Sequence, residues 1–217
     1  MDPDKIEPRI RSKQEKEIAP EFVERVQSSP LKLEDKINLL LVKGGVKSAA
    51  SISFDVKISG DGMKTEVFAT EVQAQEVKDL VESSGLFFKK REDAEFKQFE
   101  PRPDGSEKYY DQEHVSYFVS ETEKGLKKLL EAQKSGNSKL LGRAYGFAPT
   151  AISAWTNEKN RINRSDLPDE YRNSDAAAFT PGALSKEHWR DELAYYQERA
   201  DFIQRISPAL FNQMTEK

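Results

Sequence analysis

The sequence predicts an α+β protein, with a small antiparallel or mixed sheet and a helical C-terminal half. Two observations carry this reading: apolar residues alternate with polar ones over short stretches before residue 120, and recur at helical spacing from residue 120 onward. In addition, no regular alternation of strands with crossover helices runs along the chain, which favours α+β over a doubly wound nucleotide fold. A length of 217 residues gives room for one substantial core. The expected organisation is a mobile arm or peripheral segment at 1–30 and a single α+β domain at 31–212, with a sheet-containing part at 31–119 and a helical part at 120–212.

Taken in order, residues 1–30 mix both charge signs and carry Pro3, Pro8, Pro20 and Pro30 with few apolar residues. The stretch LEDKINLLLVKGG places Ile37, Leu40 and Leu41 on one helical face and ends in Gly44 and Gly45, which tolerate a left-handed exit. Ile52, Phe54, Val56 and Ile58 alternate as a strand, and the GDG before MKTEVFA predicts a hairpin. A helix follows in TEVQAQEVKDLVESSG, where Thr70 and Gln73 can form a capping box, Val77, Leu80 and Val81 share a face, and Gly85 stops the run. LFFKKRE and HVSYFVSE read as two further strands around a turn at RPDG.

The helical half begins with Ser120 and Glu123 as a second expected capping box and carries Leu126, Leu129 and Leu130 on one face. KSGNS interrupts it. Ser138 then starts a helix with Leu140, Leu141, Ala144 and Tyr145, Gly146 turns the chain, and Pro149 suits the first position of a third helix. Ile152 and Trp155 are expected to be buried on its inner face, so that Trp155→Ala would cost roughly 3–5 kcal/mol. Further on, Ser185 is expected to cap a long helix, with Leu184 and Trp189 as a hydrophobic staple. Trp189, Leu193, Tyr196, Ala200 and Ile203 continue its apolar face until Pro208.

Charge is distributed unevenly. Residues 124–164 hold nine bases (Lys124, Lys127, Lys128, Lys134, Lys139, Arg143, Lys159, Arg161 and Arg164) against Glu131 and Glu158, a net of +7 in a chain whose total is -4. The remainder therefore carries -11. Such a block can meet phosphate irrespective of sequence, or simply form a solvated helix face.

The spacing of Leu141, Gly142, Tyr145, Gly146, Phe147, Ile152 and Trp155 resembles the helix-turn-helix of phage-repressor-type regulators. That resemblance implies a second helix in the major groove, with Ala148, Pro149, Thr150, Ser153, Ala154 and Asn157 toward base edges. Lys139, Arg143, Lys159 and Arg161 would then meet phosphates. Asn157 is the one residue of that face suited to bidentate base recognition. A second resemblance spans more of the chain: LGRAYGFAPTAISAW, with KINLLLVKGGVKSAASI before it and LPDEYRNSDAAAFTPGALSKEHWRDEL after it, is similar to uncharacterised prokaryotic proteins with a Gly-Tyr-Pro-x-Thr-Ala type block. Here the proline falls one place later, at Pro149. The resemblance implies a helical pair packed on the sheet and brings no activity with it.

Catalytic chemistry has little support. The absence of cysteine excludes disulfides, thiolate nucleophiles and cysteine-based zinc sites. His114 and His188 lack sequence-local partners at catalytic or metal-binding spacing, and Asp55, Asp61, Glu34 and Asp35 have turn and capping roles to play. KGGVKS lacks the spacing of a phosphate-binding loop. No apolar run suits a membrane span or a signal peptide. The sequence therefore predicts a non-enzymatic, cytoplasmic interaction protein with an unidentified protein partner and no cofactor, metal or membrane contact, without assigning its specific role. The alternative is a helix-turn-helix DNA-binding regulator acting through Lys139, Arg143, Thr150, Ser153, Asn157, Lys159 and Arg161, and an enzyme with an unrecognised site comes third. A recognition helix would expose Thr150, Ser153 and Asn157 beside positive charge, whereas an integrated pair would have that face covered by residues 165–210.

Overall fold

The computed structural model of the chain describes residues 15–57, 70–91, 96–101, 107–180 and 183–216. The chain runs α1 (Pro20–Ser28), α2 (Leu33–Lys43), β1 (Ala49–Lys57), α3 (Glu71–Ser83), β2 (Phe87–Arg91), β3 (Phe96–Pro101) and β4 (Glu107–Ser120). It continues through α4 (Glu123–Ser135), α5 (Ser138–Ala144), α6 (Pro149–Trp155), β5 (Arg161–Asn163), α7 (Asp169–Arg172), α8 (Asp175–Ala178), β6 (Ala183–Ser185), α9 (Trp189–Ile206) and α10 (Pro208–Thr215). The fold is α+β with an antiparallel sheet and a helical C-terminal half, as the sequence predicts.

The long strand β4 organises the sheet. β1 pairs along one edge of it, from Ala49 opposite Ser120 to Lys57 opposite Gln112. β2 and β3 share its other edge in succession, β2 opposite residues 116–120 and β3 opposite residues 107–112. β5 and β6 form a separate two-stranded ribbon.

Alternation along the strands sorts the side chains into two layers, because successive residues of a strand point to opposite faces. Ala50, Ile52 and Phe54 stand opposite Val119, Tyr117 and Val115. All six belong to the main core, with α2, with Val77, Leu80 and Val81 of α3, and with Tyr196, Phe202 and Ile203 of α9. On the other face Ala49 and Phe118 enclose Leu129 of α4 in a smaller cluster, which Leu141, Ala144 and Tyr145 of the next helix border. Thus α4 and α5 cover the sheet from the side opposite α2 and α3.

Local signals place several boundaries as expected. Thr70 and Gln73 form the reciprocal capping box of α3, through bonds of 3.2 and 2.8 Å. Gly45 and Gly85 adopt positive φ behind α2 and α3. Other expectations are corrected. The cap of α4 is Thr122, which accepts from Gly125 N–H, because the Ser120 hydroxyl is drawn instead to the Ser48 carbonyl at 2.8 Å. α5 starts at Ser138 as expected, with Asn137 before it as the cap. Ser185 does not cap α9, since residues 183–185 pair with β5 and the helix starts only at Trp189; Leu184 and Trp189 are both buried all the same. Of the segment 1–30, the described part includes α1, whose Phe22, Val23 and Val26 enter the main core. The expected reversal at GDG with MKTEVFA, the RPDG turn and Asp61 lie outside the described residues.

The junction of α2 with α9 is tight. Gly44 has an ordinary right-handed conformation, but a β-carbon on it would overlap the ring of Phe202, which is fully buried. Gly44→Ala therefore has a packing cost and no backbone cost. It should lower unfolding free energy by about 1–3 kcal/mol in urea denaturation, the usual range for overfilling a packed core.

Candidate functional site

Two short helices, α5 and α6, and the turn between them make the site. After α4, Gly136 takes a left-handed exit and the Asn137 side chain accepts from Lys139 N–H and Leu140 N–H at 3.0 and 3.2 Å, so a new helix starts at once. Gly146, at φ 71°, turns the chain out of α5, and Pro149 opens α6 where its missing N–H costs nothing. Gly142 is what lets the two helices meet: a β-carbon there would lie 2.8 Å from Cγ1 of Ile152. The pair thus has helix-turn-helix connectivity.

Its turn is held from two sides. The Gly146 carbonyl accepts hydrogen bonds from Arg199 Nη2 at 2.6 Å and from the Tyr195 hydroxyl at 2.7 Å. The buried guanidinium lies 5.1 and 5.0 Å from the ring centroids of Tyr195 and Tyr196, a cation–π arrangement. From the opposite side Lys47, in the loop between α2 and β1, is buried 5.9 Å from the centroids of both Tyr145 and Phe147 and donates to Asn38 Oδ1 at 2.6 Å. Burial, reinforced by the Arg199 cation, pushes the Lys47 ammonium down to about 7. Close by, burial pushes the carboxyl of Asp35 up to about 6 although it accepts from Ser53 N–H.

The face of α6 away from α5 is covered. Thr150 and Ala154 are buried, and β6 and α9 pack over them. Glu192 of α9 is fully buried there, accepts from Ser185 N–H at 2.9 Å and turns toward the Thr150 hydroxyl. Burial holds its carboxyl above the ordinary range, against the lowering effect of its hydrogen-bond donors.

The remaining residues of the sequence-derived set are scattered. Lys139 and Arg143 are exposed one turn apart on α5; Ser153, Asn157 and Lys159 are exposed at and beyond α6; Arg161 is half-buried in β5. The Asn157 side-chain oxygen accepts from Lys159 N–H at 3.2 Å and caps a short 3-10 turn, so its acceptor is already engaged. The structure does not bring Thr150, Ser153 and Asn157 onto one exposed face.

It does open an apolar groove. Leu141, Gly142 and Tyr145 of α5, Phe147 of the turn, and Ala151, Ile152 and Trp155 of α6 line a cavity of about 310 Å³. Trp155 corrects the expectation of burial: it is 57% exposed, while Ile152 is buried as expected. The reason is length. Trp155 is the last residue of α6 and shares the cavity with Ser138, the first of α5, so no helix stands over the indole.

Elsewhere, His114 Nδ1 lies 2.7 Å from Asp55 Oδ1 as a cross-strand pair of the sheet, and His188 sits before the first turn of α9. Neither lines the groove. No group of three His, Asp or Glu side chains among the described residues could hold a metal ion, and no described helix is long and apolar enough to cross a membrane. Lys47, Arg199 and Glu192 are the residues that local sequence reasoning misses, because their partners lie many residues away. Comparison with protein-family models, curated proteins and solved structures finds no match.

Two measurements follow from this geometry. Trp155→Ala should cost less than about 1 kcal/mol in urea denaturation, as a half-open site does, whereas Ile152→Ala should cost about 2–4 kcal/mol. The second concerns pH. The folded-state pKa of Lys47, about 7, lies below its ordinary value of 10.5, so across that window the unfolded chain binds more protons and stability rises with pH. Between pH 7 and 9.5 this limb should amount to about 2–3 kcal/mol, and Lys47→Met, which keeps the stem against both rings, should flatten it in denaturation curves at the two pH values.

Proposed function

We propose that this chain is a non-enzymatic interaction protein whose contact surface is the groove between α5 and α6. The observation that carries the reading is Trp155, an indole left more than half exposed at the mouth of an apolar cavity in a protein that buries its other tryptophan, Trp189. Tryptophan is enriched among the residues that dominate protein interfaces, and an open apolar hollow beside one is a ready seat for an anchoring side chain. Among the described residues neither histidine lines the groove.

The competing reading, a DNA-reading helix-turn-helix, is supported by the helix connectivity and the basic block at 124–164. Burial counts against it. β6 and α9 pack over the Thr150 and Ala154 side of α6, which disfavours its entry into a major groove along that face. Residues 165–217 carry ten acids against six bases, a surplus that disfavours approach of a duplex.

Selection from a random duplex DNA pool separates the two. The expected outcome is weak binding that disappears at moderate salt and yields no motif, because only phosphate attraction contributes. Recovery of a defined motif that is lost in Ser153→Ala and Asn157→Ala, with circular dichroism unchanged, would establish the regulator instead.

A further inference from the structure

We propose that the occupant of the α5–α6 groove is an acidic protein segment, which seats a bulky apolar side chain against Trp155 and sets its carboxylates on the basic residues around the groove. This rests on the groove being the contact surface.

The cavity, at about 310 Å³, lies at the small end of the range for ligand pockets, roughly 300–1,000 Å³. That suits an anchoring side chain better than a cofactor. Leu141, Ala151 and Ile152 supply an apolar wall beside the Trp155 ring, which gives an aliphatic or aromatic anchor van der Waals contact. The charge lies beside it. Lys139 and Arg143 follow the lining residues Ser138 and Gly142 by one position each, so both stand along the flank of α5, while Lys134 lies in the last turn of α4 and Lys159 in the 3-10 turn that follows α6.

All four are exposed, and none forms an ion pair with a described residue. Other bases in the molecule do have such partners: Lys16 with Glu121 at 2.7 Å, Arg172 with Asp169, and Arg205 with Glu15. Lys139 and Arg143 of the +7 block lie on the helix whose neighbouring residues line the open apolar surface. An apolar seat within an unneutralised basic surround is complementary to an amphipathic segment of opposite charge, as in helix-in-groove recognition.

The test is selection of a phage-displayed random peptide library on the full chain, with the Trp155→Glu variant as counter-target; the exposed position lets that variant fold. Enriched peptides should carry several Asp or Glu around one or two large apolar residues, and binding should shift tryptophan emission to the blue through Trp155, since Trp189 is already buried. Reversal of charge in Lys139→Glu with Arg143→Glu should weaken the selected peptides about tenfold, with a matching loss of salt dependence. Enrichment of neutral or basic apolar peptides would overturn the acidic occupant and leave the groove reading standing. No enrichment over the Trp155→Glu variant would overturn the groove reading itself. A single-stranded DNA pool that displaced the peptides and quenched Trp155 would assign the surface to nucleic acid, and concentration-dependent dimerisation abolished by Trp155→Glu would assign it to a second copy of this chain; either would overturn the proposal.

Discussion

One carbonyl oxygen decides how the helical pair is used. At Gly146 it receives the Arg199 guanidinium and the Tyr195 hydroxyl, both from α9, and so fastens the α5–α6 turn to the longest helix of the fold. A hydrogen bond from a charged donor in a buried setting contributes more than a neutral one, and the two rings beside Arg199 help to offset its lost hydration. With the turn fixed in this way, α6 lies under β6 and α9, and of its residues Pro149, Ser153 and Trp155 reach solvent. A motif that elsewhere projects a helix is here a wall of the domain.

The polar groups beneath the turn have a common cause. Lys47 and Arg199 both lie buried at the turn, and burial, reinforced by the Arg199 cation, lowers the affinity of the Lys47 ammonium for its proton. Burial also raises the Glu192 carboxyl above its ordinary range beside Thr150. Each shift disfavours the charged form of a group buried at the seam between the sheet-bearing part and the helical part.

Much of the architecture was legible in local sequence. Alternation at Ile52 and Phe54, the Thr70–Gln73 box, and glycine at the ends of α2 and α3 are short-range signals, and the structure follows them. Ser120 and Ser185 failed as caps for a reason that no local pattern carries: each is held by a tertiary partner, the Ser48 carbonyl in one case and the β5 ribbon with Glu192 in the other. The candidate site was legible only in part. Spacing placed Ile152 on the inner face of its helix, yet it could not foresee that α5 begins too late to cover Trp155, or that β6 and α9 would close over Thr150.

The placement of α9 bears on how the chain acquires its structure during synthesis. Phe202 fits against Gly44, so the end of α2 is finished by a helix translated more than a hundred residues after β1, and Arg199 of the same helix completes the turn at Gly146. Pairing across such separations carries a loop-closure cost before any contact rewards it, and slows folding. Until α9 emerges from the ribosome, the α2 surface that it will cover stays open to water and to other nascent chains. The sheet and its first helices can form early, but the domain closes late, which makes the interval before α9 appears the period in which this chain most needs protection from aggregation.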